Sequence, residues 1–97
     1  MKIVIIGDGK VGYKLARQLS VENYDVVMID SNEKKLKYAV DRLDIACVIG
    51  DAADAEVQKQ EDVHHADLVI ACTSEDECNM LSCLIARRLG ARHTNAL

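Results

Sequence analysis

The hydrophobic positions of this chain switch repeatedly between two patterns. Short unbroken apolar runs occur at Ile3-Val4-Ile5-Ile6, Val26-Val27-Met28-Ile29, Ile45-Ala46-Cys47-Val48-Ile49 and within Asp67 to Cys72, each rich in β-branched residues and too short for a helix. Such runs predict strands buried on both faces, at about residues 2–7, 25–29, 45–49 and 67–72. The segments between them carry helical spacing. Val11, Leu15, Ala16 and Leu19 predict a helix from about Lys10 to Ser20, followed by the polar turn Val21-Glu22-Asn23. Leu36, Val40 and Leu43 predict a second helix starting near Ser31, with Lys34, Lys35, Lys37 and Arg42 on its wet side.

A third helix, capped by Asp54 and running to about Gln60, has a thin stripe in which Val57 and Val63 are the only large apolar members. His64 and His65 fall in the turn before the fourth strand. Adjacent histidines point to opposite faces in a strand and usually to solvent in a turn, so no shared metal is expected there. Ser74 and Glu77 stand in the S-x-x-E spacing of a capping box, which predicts a fourth helix from there to Leu89. Leu81, Leu84 and Ile85 would line its inner side, Arg87 and Arg88 would meet the negative end of its dipole, and Gly90 would stop it. Residues Ala91 to Leu97 would begin a fifth strand.

The order βαβαβαβα(β), with short connections, predicts an α/β fold: a doubly wound, Rossmann-like parallel sheet with helices on both faces. Ligands of such sheets bind beyond the carboxyl ends of the strands. There the first strand runs into Gly7-Asp8-Gly9-Lys10-Val11-Gly12, a G-x-G-x-x-G spacing that opens directly onto a helix. These glycines permit a tight turn and a close backbone approach, and the helix start offers unpaired N–H groups to a phosphate. The spacing is weak alone, but the expected acidic residue ends the second strand as Asp30, placed to bind a ribose. Asp51 follows the third strand and Thr73 the fourth, so every candidate lies at one edge of the sheet.

Composition narrows the picture without changing it. With 97 residues, one domain and one modest core fit. A net charge of −4, with no Phe or Trp and no basic stripe, argues against nucleic acid. No apolar run approaches the roughly 20 residues of a membrane span, so no direct membrane insertion is expected, and Met1-Lys2 leads straight into the first strand. A cytosolic domain is the expectation, and the four cysteines, Cys47, Cys72, Cys78 and Cys83, match no zinc spacing and read as free, buried thiols. The lysines of the second helix are a solvated face rather than a 2′-phosphate site, because Asp30 would repel that phosphate.

The motifs IIGDGKVG at 5–12, VVMIDSNEKKL at 26–36, VIGDAADAEV at 48–57, ADLVIACTSEDECNML at 66–81 and LIARRLGA at 84–91 resemble the N-terminal nucleotide-binding (TrkA-N, RCK/KTN) domain of Trk/Ktr-type potassium-uptake regulators. The resemblance covers essentially the whole chain. It implies binding of NAD(H) or an adenine nucleotide (ATP, ADP or AMP) as a regulatory ligand, without catalysis. By position it implies a binding set of Gly7, Asp8, Gly9, Lys10, Val11 and Gly12 at the phosphates, Asp30 and Ser31 at the ribose, Asp51 and Ala52 near the adenine or ribose, and Thr73, Ser74 and Glu77 near the distal part. Lys10 stands where the family often has Arg and would make a point-charge contact. The resemblance also implies subunit contacts or an ion, in place of the nucleotide, as a role for the acidic residue of the fourth helix, and Glu77 reads equally well as a helix cap.

The resemblance further implies a membrane K+ transporter subunit as partner, a homo-oligomer, dimer or larger ring, and a cytoplasmic position peripheral to the membrane. Family domains continue through further strands and a helix, so the chain reads as a fragment of a longer protein. Gln58 replaces a usual apolar residue and Asp62 a usual glycine, which puts the packing of the third helix in question. The rival reading is the cofactor-binding half of an NAD-dependent dehydrogenase, although no general acid or base stands out. A second rival is a purely structural interaction domain whose glycine loop leaves nucleotides unbound.

Overall fold

The computed structural model describes residues 1–7, 9–60 and 62–97. Five strands, β1 (Lys2–Ile6), β2 (Asp25–Asp30), β3 (Ala46–Ile49), β4 (Leu68–Ala71) and β5 (His93–Ala96), form one parallel sheet in the order β3-β2-β1-β4-β5. Four α-helices connect them: α1 (Lys10–Val21), α2 (Glu33–Arg42), α3 (Ala55–Gln60) and α4 (Asp76–Leu89). The chain winds from β1 outward to β3, then crosses back to the far side of β1 for β4 and β5. The expected doubly wound parallel fold is therefore the observed one, and its direction reverses at β1.

Alternation along the strands divides the core. Val4, Ile6, Val27, Ile29, Val69 and Ala71 face the side covered by α3 and α4, packing with Val63, Cys83 and Ala86. Ile3, Ile5, Val26, Met28 and Ile70 face the side covered by α1 and α2, against Ala16, Leu36 and Ala39. With β1 and β2 burying aliphatic side chains on both faces, a continuous apolar run is the only pattern compatible with their place in the middle of the sheet. Edge strand β5 needs no such run. It is polar and mostly exposed, held by its pairing to β4.

Helix interiors depart from the expected stripes. Val11, Val40, Leu81 and Leu84 are exposed, while the smaller Gly12, Ala39, Ser82, Cys83 and Ala86 face the sheet. Small residues let the helices approach the strands closely, which the large aliphatic residues would prevent. The capping box also fails to form. Helix α4 starts at Asp76 with Glu75 as its N-cap, two residues beyond Ser74, because Thr73 rather than Ser74 takes up the preceding polar groups. Asn32 caps α2, its side-chain oxygen accepting the Lys35 amide at 3.2 Å. Gly90 ends α4 in the left-handed region, as expected.

Both departures from the family pattern have a structural answer. Gln58 is the fully buried residue of α3, and its Nε2 donates to the carbonyls of Ala52 at 2.7 Å and Ser82 at 3.0 Å. Its Oε1 has no partner among the described residues. Asp62 adopts φ 54°, the left-handed conformation that glycine takes at least cost. The next residues form a 3₁₀ turn, Val63–His65, in which the two histidine rings lie 3.9 Å apart instead of diverging.

The β1–α1 connection has the least room. A Cβ on Gly12 would lie 2.0 Å from the Gly7 carbonyl oxygen, so Gly12→Ala is expected to destabilise the domain by about 3 kcal/mol or more, read as a lower urea midpoint. Gln58→Ala, which loses two hydrogen bonds and opens a cavity, is expected to cost about 2–4 kcal/mol. Gln58→Met refills the volume and removes the unpaired oxygen, and should cost clearly less. Burial pushes the Cys83 thiol above its ordinary value of 9.0. Above that pH the unfolded thiol ionises while the folded one keeps its proton, so folding stability should fall as pH rises, and Cys83→Ala should flatten this alkaline limb.

Candidate functional site

Strand register sets the position of the site. Ile6 pairs with Ile29 on one side and Ala71 on the other, and Asp30 pairs with Ile49, so β1, β2, β3 and β4 end at one level. The pairing continues one step into the loops. Gly7 N–H donates to the Ile29 carbonyl, Cys72 N–H to the Ile6 carbonyl and Gly50 N–H to the Asp30 carbonyl, each at 2.9 Å. These bonds hold the walls of a cleft of about 550 Å³, a volume suited to a small-molecule ligand.

The glycine loop forms the cleft's centre. Gly7 has φ 103°, and a Cβ there would come within 3.0 Å of the Thr73 nitrogen, so both backbone conformation and crowding require glycine. Gly12 lies buried behind it. Around a Cβ placed on Gly9, apart from its chain neighbours, no heavy atom of the described residues lies within 4 Å, so its hydrogen faces the open cleft. Gly9 is also the N-cap of the 12-residue helix α1 and has no side chain with which to satisfy the first turn. The first intrahelical bond runs from Tyr13 N–H to the Gly9 carbonyl. Among the described residues the amides before Tyr13 have no cap from within the helix, and the dipole there favours an anion.

Acidic groups line the same cleft. Asp30 lines the cleft from the end of β2, and its Oδ1 accepts the Asn32 amide at 2.8 Å. Asp51 lines it from the end of β3, its Oδ1 accepting the Ala53 amide at 2.9 Å. Carboxylates whose position is fixed by a backbone amide retain lone pairs for hydroxyl donors. Ser31 and Ala52 line the cleft on the same side, and Thr73 and Ser74 line it from the end of β4.

Thr73 is held from behind by Asn79, a buried residue of α4. The Thr73 amide donates to Asn79 Oδ1 at 2.9 Å, its hydroxyl donates to the same oxygen at 2.6 Å, and Asn79 Nδ2 returns to the Thr73 carbonyl at 3.1 Å. Both orientation and rotamer of Thr73 are thereby fixed. Asn79 does not line the cleft, so sequence reasoning that looks only for ligand contacts passes over it.

Four expected residues lie elsewhere. Val11 is exposed, Gly12 is buried behind the loop, and Glu77 is exposed on the first turn of α4, outside the cleft lining. Lys10 lines a neighbouring hollow of about 500 Å³ with Tyr13, Lys34, Lys35 and Tyr38, which adjoins the cleft at Gly9 and Lys35. Asp8 lies outside the described residues. Conversely Asn32, Lys35, Gly50, Cys72, Glu75 and Cys78 line the cleft unannounced. Of these, Lys35 carried a legible signal, because it sits one helical turn after Ser31 at the start of α2.

The TrkA-N domain family model matches residues 3–96. Among relatives, the Trk system potassium uptake protein TrkA homolog 1 of Methanosarcina mazei is 45% identical over 87 residues, 90% of this chain and 21% of that protein. The TrkA protein of Azorhizobium caulinodans is 36% identical over 89 residues, 92% of this chain and 19% of its own length. The chain therefore spans about a fifth of the curated relatives it matches. Among solved structures, the GsuK channel bound to NAD superposes with a TM-score of 0.86 at 27% identity, covering 98% of this chain and 17% of that one. With nearly every residue inside the family match and the glycine cleft at its centre, the chain belongs to the TrkA-N domain family.

Proposed function

We propose that this domain binds an adenine nucleotide, NAD(H) foremost, as the regulatory ligand of a potassium-uptake system. The observation that carries the reading is the open face of Gly9 at the start of α1, which has no side-chain cap among the described residues, in the same cleft as Asp30 and Asp51. A pyrophosphate would take the α1 amides, with Lys10 or Lys35 at its edge. The adenosine ribose would donate its hydroxyls to Asp30, and the adenine would lie toward Asp51 and Ala52. Thr73, fixed by Asn79, would face the distal half of the ligand. The pair of carboxylates favours a neutral, hydroxyl-bearing sugar over a third phosphate, which supports the dinucleotide ahead of ATP. The NAD-bound GsuK channel, whose domain has the same fold, supports the same choice.

The ligand acts here as an effector and not as a reactant. Relatives that share this domain are named as potassium uptake proteins, so the partner would be a membrane K+ transporter subunit. The domain would then work as part of a homo-oligomer on the cytoplasmic face of the membrane. Regulation requires that the nucleotide bind one arrangement of those subunits more tightly than another, since equal affinity shifts nothing.

Calorimetric titration with NADH, NAD, ATP and AMP tests the assignment. Asp30→Asn keeps the acceptor for the Asn32 amide while removing the charge, and is expected to weaken NADH binding about tenfold with little loss of stability. The Cβ of Gly9→Ala meets none of the described residues beyond its chain neighbours, so stability should stay within about 0.5 kcal/mol of the parent while affinity falls at least as far. Unchanged affinity in both variants would overturn the reading, as would absence of binding below millimolar.

A further inference from the structure

At the opposite end of the sheet from the cleft, the 3₁₀ turn Val63–His65 leads into the start of β4. Asp62 enters it in the left-handed conformation, and the Asp62 carbonyl accepts the His65 amide at 2.9 Å. This bend brings together side chains that an extended segment would send apart. One ligand atom from each of Asp62, His64 and His65 lies within 4.8 Å of the other two. The imidazole centroids are 3.9 Å apart with the rings inclined at 45°. All three residues are exposed, and among the described residues no hydrogen bond or ion pair engages their side chains.

We propose that Asp62, His64 and His65 form a binding site for a divalent transition-metal ion of the zinc class. Two imidazole nitrogens and one carboxylate oxygen make a donor set that suits Zn2+, Ni2+ or Cu2+, whereas Ca2+ and Mg2+ select all-oxygen sites. Tetrahedral bonds of about 2.0–2.2 Å place donor atoms about 3.3–3.6 Å from one another, so modest side-chain rotations close the arrangement, leaving a fourth position for water. The backbone needs no such adjustment. Val63, between the ligands, is fully buried and anchors the turn in the core, so binding orders only three side chains.

Two features set the strength. The site is exposed and has three ligands, and the Lys2 ammonium lies 3.5 Å from the Asp62 carbonyl, placing a competing cation on the same rim. An affinity on the order of 10 μM follows, far below that of a closed four-ligand structural site. The ion would fasten the α3–β4 connection to itself. Its distance from the glycine loop makes its occupancy independent of the nucleotide assignment above.

The third histidine supplies an internal control, since His93 lies on β5 outside the cluster. Imidazole nitrogen NMR of the 97-residue chain during Zn2+ titration is expected to shift His64 and His65 together, saturating at one equivalent, and to leave His93 unmoved. Ca2+ and Mg2+ at tenfold higher concentration should move none of the three. Asp62→Gly removes the carboxylate but keeps the left-handed backbone, and should weaken Zn2+ binding about tenfold without loss of fold. His64→Ala/His65→Ala, two exposed positions, should abolish the one-equivalent binding seen by calorimetry. The proposal is overturned if His64 and His65 do not respond at about 1 mM Zn2+, if all three histidines respond alike, or if the double variant still binds one equivalent through its thiols.

Discussion

The contact between Gly12 and the Gly7 carbonyl is the constraint on which the site depends. It lets α1 begin at Lys10, with only three residues between it and the end of β1 at Ile6, so the start of the helix points into the space beyond the strands. A side chain at either glycine would push the helix outward and separate its amides from the Asp30 wall. Gly7 adds a second requirement through its positive φ and its proximity to Thr73. One short turn thus fixes the relation between β1, α1 and β4, and the cleft is the volume left between them.

Strands were more legible in the sequence than helix faces. A run such as Ile3 to Ile6 identifies a central parallel strand because nothing polar tolerates burial on both sides, and the ends of such runs located Gly7, Asp30, Asp51 and Thr73. Helix stripes misled where size mattered more than polarity. Leu81 and Leu84 have the right spacing for a core face, yet Ser82, Cys83 and Ala86 occupy it, because α4 lies too close to the sheet for leucine. The same applies to Val40 against Ala39 on α2. Periodicity measures hydrophobic content, and close packing selects for small volume, a quantity that a hydropathy pattern does not carry.

Hydrogen-bond partners were the least legible. The S-x-x-E spacing at Ser74 and Glu77 met the local rule for a cap, but Asn79 reaches back to Thr73 and shifts the helix start to Asp76. Similarly, a glutamine at position 58 reads as a defect in an apolar stripe until the carbonyls of Ala52 and Ser82 are seen converging on it. Both are side-chain satisfactions of backbone polar groups outside the i, i+3 and i, i+4 patterns of a helix, which hydropathy spacing does not reveal.

Gln58 also ties together two parts of the molecule that are far apart in sequence. Its amide bridges the carbonyl of Ala52, on the wall of the cleft, and that of Ser82, in the middle of α4. An aliphatic residue there would act as a greased bearing between α3 and α4, whereas the forked amide is a rivet. Through that one amide a carbonyl on the wall of the cleft and a carbonyl of α4 share a single donor, on the side of the helix opposite the exposed Met80, Leu81 and Leu84.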